Sequence, residues 1–457
     1  MARMSTRIGL STLGLLAGLG APRLAAQSWA LPASDPVGIA RSGTGVAFGN
    51  NLEAAGTNPA LLATLRDGNS AYLAMGMELE ASQATLQNNQ LVLYSSDRNR
   101  FLPGLGAAWR LNPTMVLGMK LDEPFLRHAQ MPTTYTGRFQ GQSLKVDTHR
   151  LEGQLGWSAS PNWAFGASLG LTQIQYSWDN MVRTVINNPA DGSPLGLMET
   201  DLHQEGAKLA PSYSLGFRWA PNSRWTVGGS YVGSIKATLP LSASYGSMPP
   251  GFYATSGYGA APAGTSGLGP GQLAATALQP GSGGITLPGK LTLGVRQRVN
   301  QVVTWEADVR YLLGSQTRLP GYPVAIPPGS GAVTGAGQST SFRNGFGLNL
   351  MGELNISKNW IVRLGAALDP ATRAASDVDP LVGGAKSAGL SGGFGYKVFD
   401  GELAFGYQYR QTQDVDVQNL DQAWTSAHNY PTPTLGSPTT RVEGMGHLWS
   451  IGFKRTF

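Results

Sequence analysis

From Ser70 to Phe457 apolar and polar residues alternate with a period of two, the signature of extended strands with one greasy face. Ala71, Leu73, Met75, Met77 and Leu79 fall on one face, with Glu78 and Glu80 on the other. Met115, Leu117, Met119 and Leu121 repeat this against Lys120 and Asp122. It returns at Trp225, Val227 and Tyr231, at Val303, Trp305, Ala307, Val309 and Tyr311, and at Leu403, Phe405, Tyr407 and Tyr409. A lipid-facing barrel wall needs such segments of ~10 residues. A soluble β-sandwich shows the same alternation, so the connections between strands have to decide.

Short turn signals occur at Asn112-Pro113-Thr114, Pro161-Asn162, Pro221-Asn222-Ser223, Asn300-Gln301, Ser357-Lys358-Asn359 and Phe399-Asp400-Gly401. Between them lie long connections rich in Gly, Pro, Ser and Thr, including residues 179–201, 236–287 and 411–442. Tight turns on one side and long loops on the other are the asymmetry of an outer-membrane barrel. The six short turns join twelve strands, and one strand at each end makes fourteen. The fold expected is therefore all-β, a transmembrane antiparallel β-barrel of about 14 strands formed by residues 68–457.

Residues 27–67 break the pattern. Pro36 to Leu65 is rich in Gly and Ala and does not alternate. Ala33-Ser34-Asp35 predicts a cap for a short helix running from Pro36 to Arg41. Gly43, Gly45 and Gly49 favour a turning path, and Asn58 ahead of Pro59 and Ala60 can hold a turn through neighbouring backbone groups. A fourteen-stranded barrel is too wide for its wall side chains to fill, so this segment is expected to plug the bore. The run Gly43-Thr-Gly-Val-Ala-Phe-Gly49 is one residue too long for a dinucleotide fingerprint, and no strand precedes it.

Met1 to Ala30 reads as a secretory signal peptide. Arg3 and Arg7 open it, and Ile8 to Gly20 is an apolar run too short to span a bilayer. Cleavage is expected after Ala26, or as late as Ala30. No later stretch carries the ~18 consecutive apolar residues of a membrane helix. The expected location is the outer membrane of a Gram-negative-type bacterium.

Composition agrees with this picture. Charged residues are 13% of the chain, against ~25% in an ordinary soluble domain. Cys is absent, so there is neither a disulfide framework nor a thiolate metal site. Half of the +6 formal charge lies in residues 1–26, and without a basic cluster elsewhere no nucleic-acid partner is expected. His128, His149, His203, His428 and His447 form no pair at metal-ligand spacing. Gly389-Leu-Ser391-Gly-Gly393 spells a nucleophile elbow but sits in a strand pattern. Asp414 and Asp416 lack the remaining ligands of a calcium loop. No enzyme activity, cofactor or metal is expected.

Three further features bear on function. Glu123-Pro124-Phe125 interrupts the third strand; Pro cannot donate to the ladder, and a closed barrel has no free edge to hide the loss. The neighbouring carbonyl must find water, a bulge or an opening. Two outer loops carry apolar clusters: Met181, Val182, Val185 and Ile186 at helical spacing, and Phe252, Tyr253, Leu273, Ala277 and Leu278, with Gln272–Gln279 a predicted short helix. Exposed apolar clusters mark a binding or contact surface. The chain ends on His447–Phe457, with Trp449, Ile451, Phe453 and Phe457 on one face. A terminal Phe on an aromatic strand resembles the signal by which bacterial outer-membrane barrels are recognised for insertion, although Arg455 stands where that signal is usually apolar.

Taken together these residues resemble the FadL-type outer-membrane transporters of long-chain fatty acids and aromatic hydrocarbons. Gly43, Gly45 and Asn58-Pro59-Ala60 are similar to the family's hatch. Ser214–Pro221 followed by Val227–Tyr231 resembles its central hairpin, Ile285–Pro288 its strand-opening pattern, and Leu364–Pro370 a late strand. The resemblance implies a barrel closed by that hatch, a first capture groove between the two apolar loops (Val182, Ile186, Phe252, Leu273, Leu278), and a lateral gate at Pro124 and Phe125. In the family's Pro-aromatic-Gly kink pattern the third position here is Leu126. It also implies passive uptake of hydrophobic small molecules, with outer-membrane lipid and the barrel-assembly machinery as partners. Lys120 and Lys208 lie on plausible inward faces for a carboxylate ligand. A FadL-like barrel that docks secreted proteins, and a general water-filled porin, are the alternatives.

Overall fold

The computed structural model describes residues 33–48, 52–65, 69–86, 91–94, 100–131, 141–187, 194–245, 281–320, 332–333, 341–374, 378, 381–417 and 440–457. In chain order the wall opens with β1 (Ser70–Leu86), then β2 and β3 (Leu91–Tyr94 and Arg100–Asn112), and β4 and β5 (Met115–Asp122 and Leu126–Gln130). Next come β6 (Ser143–Ser158), β7 (Trp163–Asn187), β8 (Pro194–Trp219), β9 and β10 (Trp225–Val232 and Ile235–Tyr245), and β11 and β12 (Gly281–Leu287 and Lys290–Arg298). The circuit continues through β13 (Val303–Leu312), past the two-residue β14 (Ala332–Val333) that pairs outside the ring with β7. It ends with β15 (Gly345–Asn355), β16 (Trp360–Asp369), β17 (Ser387–Val398), β18 and β19 (Gly401–Thr412 and Val415–Val417), and β20 (Thr440–Thr456). Segments that continue one another count as one, giving fourteen wall strands. All pairings are antiparallel, and β20 closes on β1 from Ser70↔Thr456 to Leu86↔Thr440.

The alternation read from the sequence is the two-sidedness of this wall. Leu73, Met75, Leu117, Met119, Leu403 and Tyr407 point outward and are exposed, while Lys120, Asp122, Glu306 and Asp308 are buried in the bore. Each short turn falls where the sequence places it, and aromatic side chains gather near those turns. Trp163 stacks on Trp219 at 5.7 Å, Trp225 meets Trp305 edge-on at 6.0 Å and Trp360 lies 4.9 Å from Tyr396. Such a girdle marks the membrane–water interface, where an amphipathic ring has both media at hand. Among the described residues no helix is long and apolar enough to cross a membrane.

One expectation is corrected. Met181 to Ile186 is strand, continuous with the wall: Val182 pairs with Thr200 and Ile186 with Gly196. The paired strands β7 and β8, 25 and 26 residues long, run far past the ~9–11 residues needed to cross the bilayer, so residues 179–187 and 194–201 are paired strand. Cross-strand pairing satisfies every second backbone group there, and a lone helical turn would leave most of them open. Phe252, Leu273, Leu278 and the Gln272–Gln279 helix lie outside the described residues.

Residues 33–48 and 52–65 lie inside the ring. Helix α1 (Pro36–Ala40) starts at Pro36 and is capped by Asp35, whose Oδ1 accepts from the Gly38 amide at 2.7 Å. It packs against β16, β17, β18 and β20, and the 3-10 turn Pro59–Thr64 packs against β4, β6, β7 and β8 on the opposite side. The plug thus touches both halves of the wall.

Candidate transport site

The wall's polar inner face fastens the hatch. Asp308 Oδ2 accepts from the Gly45 and Val46 amides at 2.9 and 3.3 Å, and Glu306 Oε1 from the Ala47 amide at 2.8 Å. Ser391 donates to the Ala40 carbonyl at 2.9 Å, and Asn349 Nδ2 to the Ser42 carbonyl at 2.9 Å. Asn58 accepts from the Ala60 amide at 3.0 Å and donates to the carbonyls of Val46 (2.7 Å) and Phe217 (2.9 Å), tying two stretches of hatch to β8. Gly43 sits at φ +75°, a conformation open to glycine at no steric cost. Wall glycines admit the hatch backbone: a Cβ on Gly216 would come within 1.9 Å of Asn58 Oδ1, and one on Gly406 within 2.1 Å of the Pro36 carbonyl oxygen.

A relay of charges runs beneath this. Arg41 of the hatch pairs with Glu353 at 2.5 Å, Glu353 with Arg363 at 2.9 Å, and Arg363 with Glu402 at 2.6 Å. Lys454 lies 3.6 Å from both Glu402 and the hatch residue Glu53. Burial pushes the Glu53 carboxyl above its ordinary range, with the Lys454 ammonium opposing. Charges this deeply buried persist only when paired, which makes the relay a fixed fit between hatch and wall.

The third wall strand is broken at the predicted place. On the β6 side, Asp122 pairs with Arg150 and Leu126 with Asp147, so four steps along the broken strand face three on its partner. That is a one-residue bulge. On the other side the β3–β4 ladder stops at Leu105↔Leu121, and among the described residues β5 has no backbone pairing to β3. Side chains take over. Arg100 donates to the His128 carbonyl and pairs with Glu78 at 3.2 Å. Thr148 Oγ1 accepts from the Phe125 amide at 2.9 Å and donates to the Phe125 carbonyl at 2.6 Å. Neighbours in a wall strand face opposite sides, yet Leu126 and Arg127 are both buried. Leu126 packs with Leu102, Leu448 and Ile39 of the hatch, and Arg127 donates to the Leu381 carbonyl at 2.5 Å. The strand has therefore bent into the bore.

Above the hatch, on the long-loop side, the bore is apolar. Val146, Ile174, Trp178, Leu239 and Leu287 from the wall meet Leu381 and Val382, and Phe125 belongs to the same cluster. A small cavity of about 70 Å³ sits between hatch and bulge, lined by Asp35, Glu53, Lys120, Pro124, Phe125 and Lys290 among others. Lys120 is engaged there by Asp122 at 2.6 Å, whereas Lys208 is exposed. At the short-turn end a second cavity of about 940 Å³ opens below the hatch, between Arg41, Phe48 and the turn residues Asn162 and Asn222. Among the described residues no group of His, Cys, Asp and Glu could hold a metal. Asp414 pairs instead with Arg441.

The structure brings Gly43, Gly45, Asn58, Pro59 and Ala60 together in the bore, and Pro124 and Phe125 at the bulge. Val182 and Ile186 lie on the protruding hairpin. Phe457 directly follows β20, its amide donating to the Asn69 carbonyl at 2.8 Å, with the Arg455 guanidinium 5.2 Å above its ring. Sequence reasoning missed Thr148, Glu306, Asp308 and Glu353. Their only mark in the sequence is a polar residue on the inward parity of a strand, shared with every residue that lines a wet bore.

A stoppered barrel with a greasy exterior, an apolar chamber above the stopper and a break in its wall defines an outer-membrane transport protein. The chain belongs to the family of outer membrane protein transport proteins (OMPP1/FadL/TodX), whose profile matches residues 21–457. It is similar in structure to a Pseudomonas aeruginosa FadL homologue, with a TM-score of 0.71 at 17% identity, over 94% of this chain and 100% of that one. The Ralstonia pickettii toluene transporter TbuX matches with a TM-score of 0.60 at 14% identity, over 93% and 99% of the two chains. The P. putida toluene transporter TodX matches with a TM-score of 0.60 at 15% identity, over the same shares. At these identities the solved structures speak for the fold alone. No curated relative matches the chain.

Proposed function

We propose that this protein carries uncharged hydrophobic molecules, monoaromatic hydrocarbons foremost, passively across the outer membrane, with lateral exit at the bulge. The observation that carries this is the apolar cluster above the hatch running down to Phe125, where among the described residues β5 has no backbone partner in β3. A solute would be captured by the long outer loops, including Val182, Ile186, Phe252, Leu273 and Leu278, and pass into the apolar chamber. A shift of the hatch then releases it past Pro124 and Phe125 into the membrane. The solute's own gradient drives flux, and no catalytic step is involved.

Between the two ligand classes of the family, charge favours the uncharged one. In the cavity beside the bulge, Lys120 and Arg150 are already bound to Asp122. The remaining cation, Lys290, lines the same cavity as the carboxyl groups of Asp35, Glu53 and Glu123. A fatty-acid carboxylate gains no net attraction there, and burying it costs energy. Two of the similar structures are of toluene transporters, which accords with this. The plug argues against a general porin. Export by the leader in residues 1–26, insertion through the Phe457 strand, and residence in a Gram-negative-type outer membrane complete the reading.

The test is uptake of a panel (toluene, an n-alkane, palmitate) by cells without a transporter of their own that express this chain. Toluene entry should rise several-fold over empty cells and palmitate entry should not. Palmitate uptake alone would overturn the ligand class, and no uptake at all would overturn transport.

A further inference from the structure

The cavity below the hatch is a cationic vestibule that the transport reading does not use. Eight cationic side chains and three carboxylates line it. Two of the carboxylates are spent internally, Glu353 on Arg41 and Arg363, and Glu402 on Arg363 and Lys454. The third, Asp400, lies in an exposed turn. Against this stand Arg224, Arg296 and Arg298, gathered where the start of β9 adjoins the end of β12. The Arg298 amide donates to the Arg224 carbonyl at 2.8 Å, and Arg296 pairs in register with Thr226. Arg224, Arg296 and Arg298 make no ion pair with a carboxylate among the described residues.

Guanidiniums crowded in this way repel one another, and a fold keeps such an arrangement when something neutralises it. The protein supplies one partial answer: the ring of Phe48, from the hatch, carries the Arg41 guanidinium at 3.7 Å and that of Arg296 at 4.2 Å. Nitrogens are still left over. Arg41 Nε, Arg296 Nε and Arg363 Nη1 are buried without a hydrogen-bond partner, although Arg41 and Arg363 are almost fully enclosed. All three residues line the vestibule. Its volume of about 940 Å³ matches the ~300–1,000 Å³ of a small-molecule pocket.

We propose that the vestibule is a binding site for a small polyvalent oxyanion of the phosphate class, taken from the short-turn side of the membrane. Arginine's planar fork fits phosphate oxygens two at a time, and several forks around one cavity favour an anion with more than one charged group. The site's roof is the hatch itself, through Phe48 and Arg41. Free polyphosphates and phosphorylated sugars share the required chemistry. The inference does not depend on what the barrel transports.

The test is isothermal titration calorimetry on the purified full-length barrel in detergent, at constant ionic strength, with pyrophosphate and glucose 6-phosphate as separate arms. Saturable one-site binding of either supports the site and names its source. Arg224→Gln with Arg298→Gln, both at exposed positions outside the hatch contacts, should weaken it by about tenfold or more. Lys358→Gln, on a turn that does not line the cavity, should leave it unchanged. Folding of each variant is checked by its heat-dependent mobility on gels, and the single Arg224→Gln variant serves if the double one fails to fold. No saturable binding in either arm overturns the site, as does equal weakening by Lys358→Gln. Binding of an acidic peptide in the absence of phosphate binding would also overturn it, making the vestibule a surface for a protein partner.

Discussion

Thr148 holds Phe125 by both ends of one peptide residue, its Oγ1 taking the Phe125 amide at 2.9 Å and giving its proton to the Phe125 carbonyl at 2.6 Å. One hydroxyl thus stands in for two lost ladder bonds and lets a closed wall contain a bulge. The nearly isosteric Thr148→Val leaves both groups buried and unpaired, at about 1–3 kcal/mol each. The barrel should still insert, with a lower unfolding midpoint in a thermal melt and altered toluene entry. An unchanged melt and unchanged entry would show that the bulge does not need this hydroxyl.

Pro124 works on the same bend from the other side. Pro124→Val restores a backbone donor and removes the fixed φ that keeps the strand out of register. Toluene uptake should fall several-fold in a variant that still assembles as a heat-modifiable barrel. Wild-type uptake rates would rule the bulge out as the exit.

Asp308 carries two hatch amides on one oxygen. In Asp308→Ala the Gly45 and Val46 amides lose a charged acceptor, about 1.5–3 kcal/mol per bond. The hatch should then open more often, and single-channel conductance in planar bilayers should rise above the closed wild type. Equal conductance would mean that the hatch is held elsewhere.

Gly406 is needed because the hatch passes so near. A Val there would meet the Pro36 carbonyl oxygen, so Gly406→Val should displace α1 and raise conductance as well. Gly352→Ala is the control, since nothing lies within 4 Å of the added carbon. A leak of equal size in both variants would implicate the strands themselves.

Glu353 is shared by Arg41 and Arg363. Glu353→Gln removes the charge that both guanidiniums face, and breaking a buried pair in this way costs about 3–5 kcal/mol. Chemical denaturation in detergent should show the loss. A change under about 1 kcal/mol would show that water reaches the relay.

Much of this architecture could be read along the chain. Leu73, Met75, Leu117 and Met119 fix the lipid face because a strand turns its side chains with a period of two, and the six tight turns count the strands. Pro36 and Asp35 mark the hatch helix, and Asn58 its second turn, because caps act within a few residues. The apolar run Met181–Ile186 misled, since its spacing fits a helix and a long hairpin equally well, and only pairing with Thr200 and Gly196 chooses. Which wall residue meets which hatch amide was decided in three dimensions. Glu353 and Arg41 are 312 residues apart, and nothing local distinguishes Asp308 from any other bore-facing acid. The direction of the bend at Pro124 was decided there too. Proline only forbids the ladder bond, whereas Thr148, Arg100 and the cover supplied by Leu102, Leu448 and Ile39 make the inward position stable. Periodicity is a property of consecutive residues; closure of the ring is what brings distant ones within bonding range.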